Sequence, residues 1–267
     1  MSNEQQYFDT NRALWNEKTA HHAASAFYDI EGWLAGKTSL QQPELELLGD
    51  VQNKSILHLQ CHFGQDSLSL ARMSAKVTGT DISDAAINYA AQLNEQLGLN
   101  ANFVVADTYS VPEKLNEQFD IVFTTYGVIG WLPDMQRWAN VVSQMLKPGG
   151  RLVFVEFHPA VWMFDNDFTH VQYSYFNRGP IIETLQGTYA DRDADIQMKE
   201  IGWNHALSDV LQSLINAGLQ INTFKEYDYS VYNCFSNTIE TAPGQWQIKG
   251  MEGKLAMMYA LEAVKKN

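Results

Sequence analysis

Residues 55–83 constrain the fold of this chain more than any other stretch. Residues 56–59 form an apolar run suited to a strand, and 60–64 a tight loop. Asp66 can start a helix with Leu68, Ala71 and Met73 on its inner side, and 77–80 is a second strand that ends in Asp81. Strand, loop, helix and a strand ending in an acid is the unit with which an α/β protein builds a nucleoside pocket. The carboxylate at the end of the second strand accepts hydrogen bonds from both hydroxyls of a ribose.

With Gly64 as the last glycine of such a loop, the two earlier glycine positions carry Gln60 and His62. A loop that wraps a pyrophosphate needs glycine there, so that backbone N–H groups approach the phosphates. A ligand with a nucleoside but no phosphate relaxes that demand, which points away from NAD and toward S-adenosylmethionine. A second candidate for phosphate, Gly36-Lys37-Thr38, fails because the first glycine of that motif would fall at Glu31.

Residues 4–30 read as helical, with Tyr7, Leu14, Trp15 and Phe27 as bulky apolar members, either packed on the domain or lying over the pocket as a lid. A helix follows with Pro43 in its first turn. After Asp81, Ser83 caps a helix that has Ile87, Ala90, Leu93 and Leu97 on one face and Gly98 as its stop. The third strand, 102–106, ends in Asp107, which either takes an adenine amino group or caps the next turn. The fourth, 119–125, is a nearly continuous apolar run of the kind buried on both faces. Pro133-Asp134 opens a helix with Met135, Trp138, Val141, Val142 and Met145 inward, stopped by Lys147-Pro-Gly-Gly150; the fifth strand is 151–157. This alternation predicts a doubly wound, mostly parallel sheet.

The rhythm breaks at Pro159. Residues 159–202 are aromatic and polar without helical period, and an insertion after the fifth strand lies beside the carboxyl ends of the strands, where ligands bind; it reads as a substrate cap with β-hairpin character. A helix (208–217), a strand (219–224) and a final strand (255–264) close the chain. The expected division is a helical lid (1–50), a cofactor-binding core (51–158), the inserted cap (159–202) and a C-terminal part completing the sheet (203–267).

A formal net charge of −13 argues against a nucleic-acid substrate, which would require clustered Lys and Arg. The two cysteines, Cys61 and Cys234, form no metal-type pattern, and a disulfide is not expected. The polar start of the chain lacks the apolar core of a signal peptide, and no run of about 18 apolar residues is present, so a cytoplasmic enzyme without a membrane span is expected.

The chain resembles the class I S-adenosylmethionine-dependent methyltransferases. Leu57-His-Leu-Gln-Cys-His-Phe-Gly64 stands where that family has Leu-Asp-x-Gly-x-Gly-x-Gly, and Thr80-Asp81-Ile-Ser83 where its ribose-binding acid lies. Phe103-Val-Val-Ala-Asp107 is similar to its adenine-side strand, while Phe119-Asp-Ile-Val-Phe and Leu146-Lys-Pro-Gly-Gly-Arg-Leu152 are similar to its fourth- and fifth-strand signatures. The resemblance implies a Rossmann-like sheet of seven strands, the last antiparallel and inserted between the fifth and sixth. It also implies S-adenosylmethionine as cofactor, held by Gln60, Cys61, His62, Gly64, Asp81, Ile82, Asp107, Thr108, Thr125 and Tyr126. His58 departs from the family's loop-start acid, which orients the loop and the methionine amino group.

Methyl transfer from a sulfonium is an in-line displacement, so alignment is the main task and a base is needed only for an O–H or N–H nucleophile. His158, directly after the fifth strand, is the candidate base, or it merely hydrogen-bonds the cap. Glu156 reads as a buried structural acid. Trp131, Tyr173 and Tyr175 are candidates for contact with a small-molecule acceptor. The alternatives are a non-catalytic S-adenosylmethionine-binding protein and an NAD(P)-dependent reductase. The short-chain reductase signature Tyr-x-x-x-Lys is absent, since none of the 12 tyrosines has Lys four residues on.

Overall fold

The computed structural model describes residues 3–266. Three helices come first: α1, Asn3–Ala24; α2, Ile30–Leu34; and α3, Gln42–Leu48, which has Pro43 in its first turn and a capping box between Gln41 and Glu44. The alternating core follows as β1, Ser55–Leu59; α4, Gln65–Arg72; β2, Lys76–Asp81; α5, Asp84–Gln96; β3, Asn102–Val105; α6, Val111–Lys114; β4, Phe119–Thr125; α7, Met135–Met145; and β5, Leu146–Phe157. Beyond it lie β6, Ile181–Gln186; β7, Gln197–Gly202; α8, Leu207–Asn216; β8, Leu219–Tyr227; β9, Thr238–Ala242; β10, Gln245–Ile248; and β11, Met258–Lys265.

The main sheet has seven strands in the order β3-β2-β1-β4-β5-β11-β8. β1, β2, β3, β4 and β5 pair in parallel, while β11 runs antiparallel between β5 and β8. The strand order reverses between β1 and β4, and at such a reversal the connections leave in opposite directions and open a crevice at the carboxyl ends of the strands. β4 is buried on both faces because each face has its own core. Trp138, Val142 and Met145 of α7 pack on one side with Val122; on the other, Leu48 of α3 and Leu70 of α4 pack with Ile56, Ile121 and Phe123.

Several boundaries differ from the expectation. The N-terminal helix stops at Ala24 rather than running to 30. α4 is capped by Gly64 at φ 75, with Asp66 inside the first turn rather than at the cap. A Cβ at position 64 would meet the Phe103 ring at 2.7 Å, so glycine is required by space as well as by φ. β5 begins at Leu146, because Leu146 pairs with Phe119 of β4 and the Lys147-Pro-Gly-Gly turn is taken up as an irregularity before Arg151 pairs with Ile121. β11 starts at Met258, three residues later than expected, after the turn at 252–255. The inserted segment does contain an antiparallel pair, β6 with β7, and the Tyr- and Asn-rich stretch after β8 holds a second one, β9 with β10, that periodicity did not reveal.

α1 crosses the molecule against α5 and β7. It is held there by polar anchors: Asn11 Nδ2 donates to Ile201 O (2.8 Å), Ile201 N donates back to Asn11 Oδ1 (3.1 Å), and Ser83 Oγ donates to Asn16 Oδ1 (2.7 Å).

Candidate functional site

The loop between β1 and α4 keeps the backbone of a glycine loop without its glycines. Gln60 (φ 54) and His62 (φ 52) both lie in the left-handed region, as does Gly64. Such a conformation costs a non-glycine residue about 1–2 kcal/mol, so surrounding contacts hold it. Gln60 Nε2 donates to Val128 O (2.8 Å), and His62 N donates to Asp81 Oδ2 (2.8 Å). Gln60 Oε1 and His62 Nε2 are buried with no hydrogen-bond partner among the described residues.

Asp81 ties the loop to the next helix, since its Oδ1 accepts from Ser83 N at 2.9 Å. Burial raises its pKa to about 6, against the pull of its backbone donors. Asp107 Oδ1 accepts from Tyr109 N (3.0 Å) and Ser110 N (3.1 Å), so it does cap the turn that starts at Thr108, and its side chain also borders the cavity described below. Glu156, buried at the end of β5, accepts from the backbone N–H groups of Gly127, Val128 (2.8 Å) and Ile129 (3.2 Å) and thereby shapes the loop after β4. Burial raises its pKa.

These elements enclose a cavity of about 950 Å³ at the carboxyl ends of the strands. One end is bordered by Gln60, Cys61, Asp81, Ile82, Asp107 and Thr108. α1 covers part of it: the Trp15 ring lies 5.3 Å from those of His62 and Trp131, and Lys18 Nζ sits 5.2 Å from the Trp15 ring and 3.3 Å from Glu200 Oε2 of β7. The opposite wall is aromatic, with the Phe235 ring 5.0 Å from Phe157 and 5.5 Å from Trp162. Between them Tyr28 and Tyr189 share a hydroxyl–hydroxyl hydrogen bond beside His22, whose pKa burial lowers to about 2; burial likewise holds His62 neutral, with a pKa of about 3.

Residues 56–150 match the model of a methyltransferase domain. The chain carries a methyltransferase domain of the S-adenosylmethionine-dependent kind over these residues. Among curated proteins it is 35% identical over 104 residues to the ubiquinone biosynthesis O-methyltransferase of Coxiella burnetii, covering 39% of this chain and 44% of that protein. The chain thus spans about half the length of the curated relatives it matches. A methyltransferase structure from Methanosarcina mazei shares the fold, with a TM-score of 0.57, 21% identity and coverage of 85% of this chain and 98% of that one. So does a glycopeptide N-methyltransferase solved with S-adenosylmethionine, with a TM-score of 0.54, 15% identity and coverage of 84% and 86%.

The residues present fit the family's cofactor. The loop trace is retained at positive φ, Asp81 lies on the cavity, and Gln60 Oε1 is an unspent buried acceptor beside it. Of the residues expected at the cofactor, Gln60, Cys61, His62, Asp81, Ile82, Asp107, Thr108, Thr125 and Tyr126 all border the cavity, while Gly64 lies behind it as the helix cap. Trp131 and Tyr173 border it as well.

His158 and Tyr175 are not brought there. His158 faces away from the cavity, with Nδ1 accepting from Ala160 N (3.1 Å) and Nε2 3.0 Å from Glu226 Oε1, which is the bland reading of that residue. The backbone leaves β5 so that its ring packs toward β8 and β11. The Tyr175 hydroxyl accepts from Leu207 N at 3.3 Å, at the start of α8. Sequence reasoning gave no site role to Lys18, Tyr28, Asp66 or Tyr232. Lys18, Tyr28 and Tyr232 come from segments far apart in the chain, with no motif to join them, and Asp66 reads from sequence only as a helix start.

Gln60→Gly separates a direct role of the side chain from a merely tolerated one. Relief of the left-handed strain gains about 1 kcal/mol and loss of the bond to Val128 O costs about 1 kcal/mol, so the melting temperature should stay nearly constant. S-adenosylhomocysteine affinity measured by calorimetry should fall; a gain would instead mark Gln60 as a residue that weakens the site.

Proposed function

We propose that the protein transfers a methyl group from S-adenosylmethionine to a small-molecule acceptor. The observation that carries this reading is a single cavity running from Asp81 and the 60–62 loop to an aromatic wall at Phe157, Trp162 and Phe235. When bound, S-adenosylmethionine supplies an electrophilic methyl group on a sulfonium. Gln60, Cys61, His62, Asp81, Ile82, Asp107, Thr108, Thr125 and Tyr126 hold it, with Gly64 supporting the loop from behind.

Trp131 and Tyr173, whose hydroxyl donates to Glu183, face the acceptor. α1 acts as a lid and the 159–202 segment as a cap; together they exclude water and align the nucleophile, which is the chief requirement of an in-line displacement. A relative named for O-methylation in ubiquinone biosynthesis supports a small organic acceptor, and the net charge of −13 speaks against a polyanionic one.

Calorimetric titration with S-adenosylhomocysteine and with NADH, followed by detection of S-adenosylhomocysteine formation with a panel of small phenols and amines, tests the reading. Binding of S-adenosylhomocysteine and turnover with some acceptors is expected. Binding of NADH alone would overturn it, and tight S-adenosylhomocysteine binding without any turnover would favour a non-catalytic binding protein.

A further inference from the structure

His58 occupies the position at which the family carries the acid that orients the methionine amino group, and it cannot replace that acid. It is buried, its Nδ1 is 2.8 Å from Ser67 Oγ, and burial drives its pKa down to about 3, so it carries no charge at neutral pH. A methionine ammonium bound in this site therefore needs a counter-charge from elsewhere.

One lies on the other side of the loop. Asp66, in the first turn of α4, borders the cavity, and its charge acts on Cys61, Tyr28, Tyr126 and Tyr232, which border the same cavity. Cys61 also feels Asp81, so both carboxylates act on the same loop residue. Asp81, Cys61 and Asp66 thus border one continuous cavity. Glu44 stands behind: fully buried in α3, it accepts from Gln41 N (2.6 Å) and from the Tyr126 hydroxyl.

We propose, resting on the S-adenosylmethionine reading, that Asp66, backed by Glu44 through Tyr126, binds the α-ammonium of the cofactor's methionine end and takes over the task lost at position 58. Two physical features favour a cation here. Tyrosine rings turn their negative faces to it. In addition, burial raises the pKa of Asp66, and burial together with Asp66 raises that of Glu44 to about 8, so a positive charge beside Asp66 offsets the cost of its ionisation.

The test compares ligands that do and do not carry the ammonium. The protein and its Asp66→Asn variant are titrated calorimetrically with S-adenosylhomocysteine, with the analogue lacking the α-amino group, and with 5′-methylthioadenosine, which lacks the whole amino-acid end. One charge-assisted hydrogen bond corresponds to about 10–100-fold in affinity. The wild type should prefer S-adenosylhomocysteine over the deaminated analogue by that factor, and Asp66→Asn should erase the preference while binding methylthioadenosine within about 3-fold of wild type. Equal losses for all three ligands, or an intact preference in the variant, would overturn the assignment. So would a wild type that does not discriminate the amino group, a measurement that needs no folded variant. If the wild type binds none of the three, the S-adenosylmethionine reading itself falls and takes this one with it.

Discussion

Asp81→Ala should weaken S-adenosylhomocysteine binding about 100-fold, the equivalent of two charge-assisted hydrogen bonds to a ribose. Part of the loss is indirect, because Asp81 Oδ2 also anchors His62 N and so holds the loop in its left-handed trace. The carboxylate must be ionised to accept from both ribose hydroxyls, and burial has raised its pKa to about 6. Affinity should therefore be pH-independent above about 7 and fall about tenfold for each unit below 6. Stability runs the other way. A raised carboxyl pKa means that the protonated form stabilises the fold below the ordinary carboxylate range and that this contribution is lost as the pH rises through about 6. Calorimetry at pH 5, 6 and 7.5 on the wild type and on Asp81→Asn checks both: the wild type should show the slope and the variant a flat, weak profile. A wild-type affinity constant from pH 5 to 7.5 would remove Asp81 from the binding site.

Glu156→Ala should be the most destabilising single change near the cavity. Gly127, Val128 and Ile129 all donate backbone N–H groups to this one buried carboxylate, and truncation leaves them without an acceptor inside the protein. Each unsatisfied buried donor costs about 1–3 kcal/mol, and with some relaxation of the loop the total should be about 3–5 kcal/mol. For a chain of this size that is a drop of about 8–15 °C in melting temperature, read by circular dichroism. Glu156→Gln keeps an oxygen acceptor and should lose about half as much. A melting temperature within about 2 °C of wild type for the alanine variant would mean that the loop satisfies its amides in another way. Because the loop carries Tyr126 and Trp131, S-adenosylhomocysteine binding should weaken in parallel with stability, unlike Asp81→Asn, which should weaken binding more than it weakens the fold.

The core was legible because its signals are local. β4 and α7 announce themselves by an unbroken apolar run and a helical period bounded by Asp134 and the Lys-Pro-Gly-Gly turn, and the end of β2 is marked by Asp81. The β9–β10 pair was not legible: its strands are short and mostly polar, and only a fold that brings the 230s over the cavity makes them pair. His158 shows the same limit at one residue. Its place after β5 suggested a base, yet the direction of its ring depends on how the chain turns at Pro159 and on Glu226 of β8 waiting beside it.

What the sequence by itself determined is the alternating sheet and the expectation of a nucleoside-type site at Gln60–Gly64, Asp81 and Asp107, because strand burial, helix capping and the loop-to-acid spacing are properties of neighbours in the chain. Only the tertiary structure decided that Lys18 of α1, Tyr28, Asp66 of α4, Trp162 and Tyr232 share one cavity with them, and that His158 and Tyr175 do not. Side-chain direction at the end of a strand, and the meeting of segments distant in the chain, follow from packing across the whole molecule, and no local pattern encodes them.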